Sequence, residues 1–292
     1  MAATKTLVTE TLDLGDVELS CTVYGDGPLV LCAHGFPDDA RSFRAQIDPL
    51  VARGFRVACP TMRGYAPSGI PKSRRYDAEA LGRDLCTLAD RLSPSSPVRL
   101  VGHDWGAVAA YAATALAPAR FSHLVTIAVP HLRATLPRLA QPAQLRRSWY
   151  TAYFQLRGVA ERGLAKDDFA LIDRLWRDWS PGYTASREDL DPIKAGIAPR
   201  VPEVIGYYRA FFSSRVLLGA SRRLLFAKTT VPAIHIHGED DGCIGAELAR
   251  GVDERHFLAG IRVHMVPRAG HFVHLERPEV VNPVLLDFLG AP

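Results

Sequence analysis

The stretch Gly102-His103-Asp104-Trp105-Gly106 follows an apolar run, Val98-Arg-Leu-Val101, and precedes Ala107-Val-Ala-Ala-Tyr111-Ala-Ala. A strand, a turn with glycine at each end and a helix are the sequence form of a nucleophile elbow, in which the central residue is usually serine. Here it is Asp104. A tight strand-to-helix turn needs small neighbours, which Gly102 and Gly106 supply. The helix that starts there presents the positive end of its dipole to a carboxylate. An ionised carboxylate needs no base to activate it, unlike a serine hydroxyl. It can displace an oxygen or a halide from saturated carbon and leave an alkyl ester of Asp104, which water must then cleave.

Short apolar runs of the kind found in buried parallel strands lie on both sides of the elbow: Leu29-Val-Leu-Cys-Ala33, Phe55-Arg-Val-Ala-Cys59 and Leu124-Val-Thr-Ile-Ala-Val129. Val17 to Tyr24 alternates as a strand does, and helical patterns fall at about 40–53, 78–92 and 106–118. From about Pro130 to Thr230 strand runs give way to aromatic-rich helical stretches: Trp149-Tyr-Thr-Ala-Tyr-Phe154, Phe169 to Trp176 and Val204 to Phe212. Strand patterns return at Ala233-Ile-His-Ile-His237 and Ile261 to Val266, and a last helix spans about 279–289. Alternating strands and helices predict an α/β fold, a mostly parallel sheet with helices on both faces. The predicted organisation is a core in two parts, 1–130 and 231–292, with a helical cap at 131–230.

Reactive residues in such sheets collect beyond the carboxyl ends of strands. Asp104 sits at one such end, Gly238-Glu-Asp-Asp241 follows another and Ala269-Gly-His271-Phe a third. The order nucleophile, acid, histidine is the triad order of the α/β-hydrolase fold, which the chain resembles over nearly its whole length. Within that fold it is similar to the soluble epoxide hydrolases. His34-Gly-Phe-Pro37 resembles their HGxP turn, Arg63-Gly-Tyr-Ala-Pro-Ser68 their RGYGxS loop, and Ala269-Gly-His-Phe their histidine turn. Ala66-Pro67 stands where that loop usually has glycine, Ala107 where a second glycine is frequent, and Gly242-Cys-Ile-Gly245 lacks the proline often found after the acid.

The resemblance implies His271 as the base that activates water, with Asp241 orienting it; Asp240 would take that place after a one-residue shift of the loop. It implies the backbone N–H groups of Phe36 and Trp105 as the oxyanion hole. It further implies Tyr150, leading a Tyr-x-x-Tyr-Phe-Gln run, and Tyr208, directly before Arg209, as donors to the epoxide oxygen; Tyr153 and Tyr207 are the neighbouring alternatives. A neutral phenol with a pKa of ~10 donates without bringing a charge. The implied substrate is a small apolar epoxide, which water converts to a vicinal diol. A haloalkane or haloacid dehalogenase using the same Asp, and a hydrolase-fold ligand-binding protein without turnover, are the competing readings.

The bulk composition fits. The 292 residues are 48% hydrophobic with net charge +4, and the basic pairs Arg146-Arg147 and Arg222-Arg223 are too short to suggest nucleic-acid binding. The five cysteines are scattered and odd in number, as expected of reduced, mostly buried thiols in a cytoplasmic protein. The N-terminus carries no apolar signal core, and no apolar run approaches the ~20 residues of a membrane span. No cofactor and no metal are expected. His235-x-His237 and His271-x-x-His274 lack a third ligand at a recognisable spacing, and no phosphate-binding glycine loop is present. His34 and His103 are read as loop-shaping hydrogen-bonders, and His123, His131, His256 and His264 as surface or interface residues. Trp149, Phe154, Trp176, Trp179, Phe211 and Phe212 suit an apolar substrate or the core of the cap. Nothing chooses between monomer and homodimer.

Overall fold

In the computed structural model, residues 6–213 and 219–291 are described. Most of the N-terminal segment read for a signal core lies outside them. Eight strands form one sheet in the order β1-β2-β4-β3-β5-β6-β7-β8. They are β1 Thr6–Asp13, β2 Glu18–Tyr24, β3 Leu29–Ala33, β4 Arg56–Pro60, β5 Val98–His103, β6 Phe121–Ile127, β7 Ala233–Gly238 and β8 Ile261–Val266. β1 and β2 form an antiparallel hairpin, β2 runs antiparallel to β4, and the remaining pairs are parallel.

The five-residue strand β3 shows why its sequence reads as continuously apolar. Leu29, Leu31 and Ala33 face one layer while Val30 and Cys32 face the other, and all five are buried. One layer holds α2 (Ala78–Leu92) and α3 (Trp105–Leu116); the other holds α1 (Arg44–Ala52) and the last helix, Pro278–Leu289. α2 packs through Leu81, Leu85, Leu88 and Ala89, a helical spacing, and starts at Asp77, whose side chain accepts from Ala80 N–H. The helix expected over 40–53 is in fact a 3-10 turn, Ala40–Phe43, followed by α1.

Between β6 and β7 the described residues form helices and no strand. They include α4 Leu132–Leu139, α5 Pro142–Arg147, α6 Trp149–Tyr153, α7 Val159–Ala165, α8 Ala170–Trp179, α9 Arg187–Ile197 and α10 Val201–Phe211. A hydrogen bond to one member of a buried ion pair ties this insertion to the core. Arg63 donates to both Asp84 oxygens at 2.6 Å, and its carbonyl accepts the Tyr207 hydroxyl at 2.7 Å. No helix among the described residues is long and apolar enough to cross a membrane. All five cysteines are free, four of them buried.

Candidate active site

β5 ends at His103 and α3 begins at Trp105, so the whole turn is Asp104. Its φ of 51° lies in the left-handed region that non-glycine residues rarely occupy. Surrounding bonds hold it there: Asp104 N–H donates to Ile127 O at 3.2 Å, and Asp104 O accepts from Ala107 N–H at 2.9 Å. A Cβ on Gly106 would run into the Ala33 carbonyl, and one on Gly102 into the Gly106 carbonyl. The small flanking residues are therefore a matter of close approach.

Asp104 Oδ1 accepts a hydrogen bond from Phe36 N–H at 2.7 Å. A Cβ on Gly35 would lie 2.6 Å from Trp105 N and hard against Asp104 Oδ1, so both amides expected in the oxyanion hole border the carboxylate. Trp105 N–H opens α3, where the first amides have no intrahelical acceptor.

His271 Nδ1 lies 2.9 Å from Asp241 Oδ2, and His271 Nε2 lies 3.6 Å from Asp104 Oδ2. Asp241 Oδ1 accepts from the N–H groups of Cys243 and Ile244 at 2.7 and 2.8 Å. Burial opposes the Asp241 charge, but the His271 charge and these bonds outweigh it and hold the carboxyl below its usual range. For His271, burial likewise opposes charge. The Asp241 charge, with help from Cys243, Asp104 and the hydrogen bonds, wins and holds the imidazole well above its ordinary value. Asp240 is exposed, and Glu239 pairs with Arg250 at 2.5 Å.

The loops carrying these groups are pinned by the end of α8. Trp179 O accepts from both Gly242 N–H and His271 N–H at 3.0 Å. Ser180 Oγ accepts from Phe272 N–H at 3.1 Å and donates to Glu276 Oε1 at 2.6 Å, while Gly270 N–H donates to the Glu276 carboxylate. The helical insertion thus fixes the position of the histidine.

The paired histidines of β7 belong to a directed chain. Burial holds His235 and His237 below their ordinary pKa, so each is neutral with one N–H. His237 Nε2 lies 2.9 Å from the Ile244 carbonyl, which only accepts, so its proton is there and its Nδ1 accepts from His235 Nε2–H. His235 Nδ1 then accepts from Thr126 Oγ1, and Thr126 from the Tyr111 hydroxyl. Four buried groups satisfy one another and brace Ile244, whose N–H holds Asp241.

His34 and His103 do shape the turns. His34 Nε2 accepts from Met62 N–H at 2.9 Å, and His103 Nε2–H donates to His271 O at 3.1 Å. Burial holds His103 down to about 3, so its Nδ1 is a bare lone pair. That atom, His274 Nδ1 and Asp38 Oδ2 are buried without partners among the described residues, and Asp38, His103 and His274 each bring one potential ligand atom within 4.8 Å of the others. Burial, with the nearby Asp39, pushes the Asp38 carboxyl up to about 7. The set offers a cation two imidazoles and a carboxylate, and offers a water three partners.

Tyr150 and Tyr208 both reach the cavity that Asp104 floors, a space of about 400 Å³. Their rings lie 5.5 Å apart, edge to face. The Tyr150 hydroxyl is 3.2 Å from Cys243 Sγ, and the Tyr208 hydroxyl is buried without a hydrogen-bond partner among the described residues. Burial drives both phenols well above their usual pKa, so both keep their protons. The alternatives point elsewhere: Tyr207 donates to Arg63 O, and Tyr153 to Val159 O at 3.4 Å.

The structure therefore brings Asp104, His271, Asp241, Tyr150, Tyr208, Phe36 and Trp105 together. One expectation needs correction. His131 is not a surface residue: it is buried against Tyr111 and Phe257, with its Nε2 3.0 Å from Ala227 O. Of the six aromatics, Phe154, Trp176 and Trp179 are buried, Phe211 and Phe212 line the cavity, and Trp149, exposed at 36%, does neither. Sequence reasoning missed Cys243, Ser180, Glu276 and Asp38. Asp38 alone had a local signal, directly after His34-Gly-Phe-Pro37.

The family model described as alpha/beta hydrolase fold matches residues 28–278. Epoxide hydrolase A of Mycobacterium tuberculosis is 31% identical over 315 residues, covering 95% of this chain and 96% of that protein. A Bacillus subtilis AB hydrolase superfamily protein is 30% identical over 269 residues, 90% and 91% of the two chains. The crystal structure of an epoxide hydrolase from Bacillus megaterium in complex with an inhibitor superposes with a TM-score of 0.84 at 27% identity, covering 96% and 99%.

Proposed function

The chain belongs to the alpha/beta hydrolase fold family, and from that premise we propose that it is an epoxide hydrolase working through a covalent ester on Asp104. The observation that carries this reading is the convergence of the Tyr150 and Tyr208 side chains on the cavity above Asp104, both phenols protonated and one hydroxyl unpaired. A halide needs no such pair of hydroxyl donors; a ring oxygen becoming an alkoxide does.

Asp104 Oδ1 stays with the Phe36 amide, leaving Oδ2 to attack a ring carbon. The C–O bond breaks, and the departing oxygen takes hydrogen bonds from Tyr150 and Tyr208 and then a proton from one of them, which the His271 imidazolium replaces through solvent. Esterification removes the Asp104 charge, one of the influences that keep His271 protonated. His271 loses that support, gives up its proton in this way and, now neutral, takes one from the attacking water. The hydroxide adds to the ester carbonyl, and its oxyanion forms where Phe36 and Trp105 N–H lie. Collapse breaks the acyl C–O bond, the leaving alkoxide takes the proton of the restored carboxyl, and the diol departs, leaving an Asp104 carboxylate that carries the water's oxygen beside protonated His271. In this scheme residues 131–230 act as a cap that supplies both tyrosines, with 1–130 and 231–292 as the core.

The test is diol formation from a panel of aryl and alkyl epoxides, with Asp104→Ala as control. Diol from the wild type alone supports the reading. No diol from any epoxide, or halide release from haloalkanes instead, overturns it.

A further inference from the structure

The cavity extends to one side of the reactive carboxylate. Asp104, Trp105, Tyr150 and Tyr208 keep 4–8% of their surface accessible, and all four line the same space. On the other side, Phe36, Phe154 and Phe272 are 0% exposed, and the neighbouring Trp179 and Trp176 are 1% and 2% exposed. A water-sized gap beside them would appear as exposure, so this end is packed solid. Phe36 contacts Phe154, Tyr208 and Trp179 edge-on, with ring centroids 5.4–6.5 Å apart. Phe272 stacks on Trp176 at 3.6 Å, and the Trp176 indole N–H donates to Pro37 O at 2.8 Å. That hydrogen bond and the backbone bonds of Trp179 hold the wall to both halves of the core.

Away from this wall the space runs between α3, α4, α5 and the end of α10. It is lined by Val108, Val129, Leu132, Leu145 and Phe211, toward the exposed side chains of Leu145 and Phe212. Among its described lining residues the sole charged side chain is Asp104.

We infer that the site takes epoxides bearing one long, uncharged apolar arm, that is terminal oxiranes, and rejects internal epoxides with an extended arm on each ring carbon. This rests on the epoxide hydrolase reading above and adds the substrate class to it. Asp104 reaches the ring from the floor of a blind end, so the ring carbon nearest the aromatic wall can carry only hydrogen. A second arm would have to displace packed aromatic rings, whereas the first slides along aliphatic side chains. A charged terminus inside the cavity would meet no counter-charge among the described lining residues.

The experiment compares two isomers, 1,2-epoxydecane and 5,6-epoxydecane, with the wild-type protein. The expected kcat/KM favours the terminal isomer by about 100-fold or more, the scale on which a pocket without room for added carbons discriminates. Comparable rates, or preference for the internal isomer, overturn the one-armed site while leaving the epoxide hydrolase reading intact. Diol from neither isomer, nor from smaller epoxides, overturns both. Phe154→Ala opens the wall and should raise the internal-to-terminal ratio about tenfold. The ratio is measured within one protein, so a partly folded variant lowers both rates and leaves it unchanged. An unchanged ratio in folded Phe154→Ala would also count against the blind end.

Discussion

His271 Nε2 stands 3.6 Å from Asp104 Oδ2, beyond hydrogen-bond length, and has no other partner among the described residues. The imidazole is anchored on its far side by Asp241 and on its backbone by Trp179 and His103. It therefore cannot swing to close the gap without breaking those bonds. The separation suits a ring that acts on a water bound beside the two groups rather than on the carboxylate itself.

This geometry makes the two chemical steps respond differently to pH. The first needs an ionised Asp104, and the second needs a neutral His271, whose pKa is held up in the resting site. As pH falls, hydrolysis should slow before ester formation does, and the ester should accumulate. Stopped-flow fluorescence of Trp105, beside the nucleophile, would show a burst whose amplitude grows toward low pH. A burst independent of pH would contradict the role given to His271.

The tyrosines give a test that separates chemistry from stability. Tyr150→Phe and Tyr208→Phe should each slow ester formation by about 100-fold, the cost of losing one donor to a developing oxyanion. Tyr208→Phe should nevertheless change stability by less than about 1 kcal/mol, because its hydroxyl makes no geometric hydrogen bond to a protein group among the described residues. Single-turnover rates and thermal unfolding of the same samples check both. A variant that loses activity and stability together would mark Tyr208 as a packing residue.

Asp38 predicts a pH-dependent stability. Its folded pKa, about 7, lies above the ordinary 3.8. The native state thus binds more protons than the unfolded chain between those values, and stability falls as pH rises through that window. Asp38→Asn keeps an acceptor for Asp39 N–H, which now donates to Asp38 Oδ1 at 2.8 Å, and removes the buried charge. The melting temperature of the variant relative to wild type should climb from pH 5 to pH 8. A difference that stays flat over that range would contradict the burial-driven shift.

The elbow was legible because its backbone demands small residues at fixed positions, and local demands leave local traces. Gly102, Asp104 and Gly106 could be read without knowing what packs around them. The core strands were legible for a related reason: burial on both faces makes a run like Leu29–Ala33 continuously apolar. The edge strand β1 was not, because Thr-Leu-Val-Thr-Glu-Thr-Leu-Asp is mostly polar and largely exposed. The choice between Asp241 and Asp240 depends on one residue of loop register. Two backbone amides and the neighbouring histidine make Asp241 the buried one. The meeting of Asp38, His103 and His274, like the burial of His131, joins segments far apart in sequence and leaves no local mark.

The central claim is the ester on Asp104, and the most direct measurement is peptide mass spectrometry of His271→Gln after incubation with a terminal epoxide. The peptide containing Asp104 should gain the full mass of the epoxide, and Asp104→Ala should gain nothing there and form no diol. An unmodified Asp104 peptide in His271→Gln, while the wild type turns the same epoxide into diol, would contradict it.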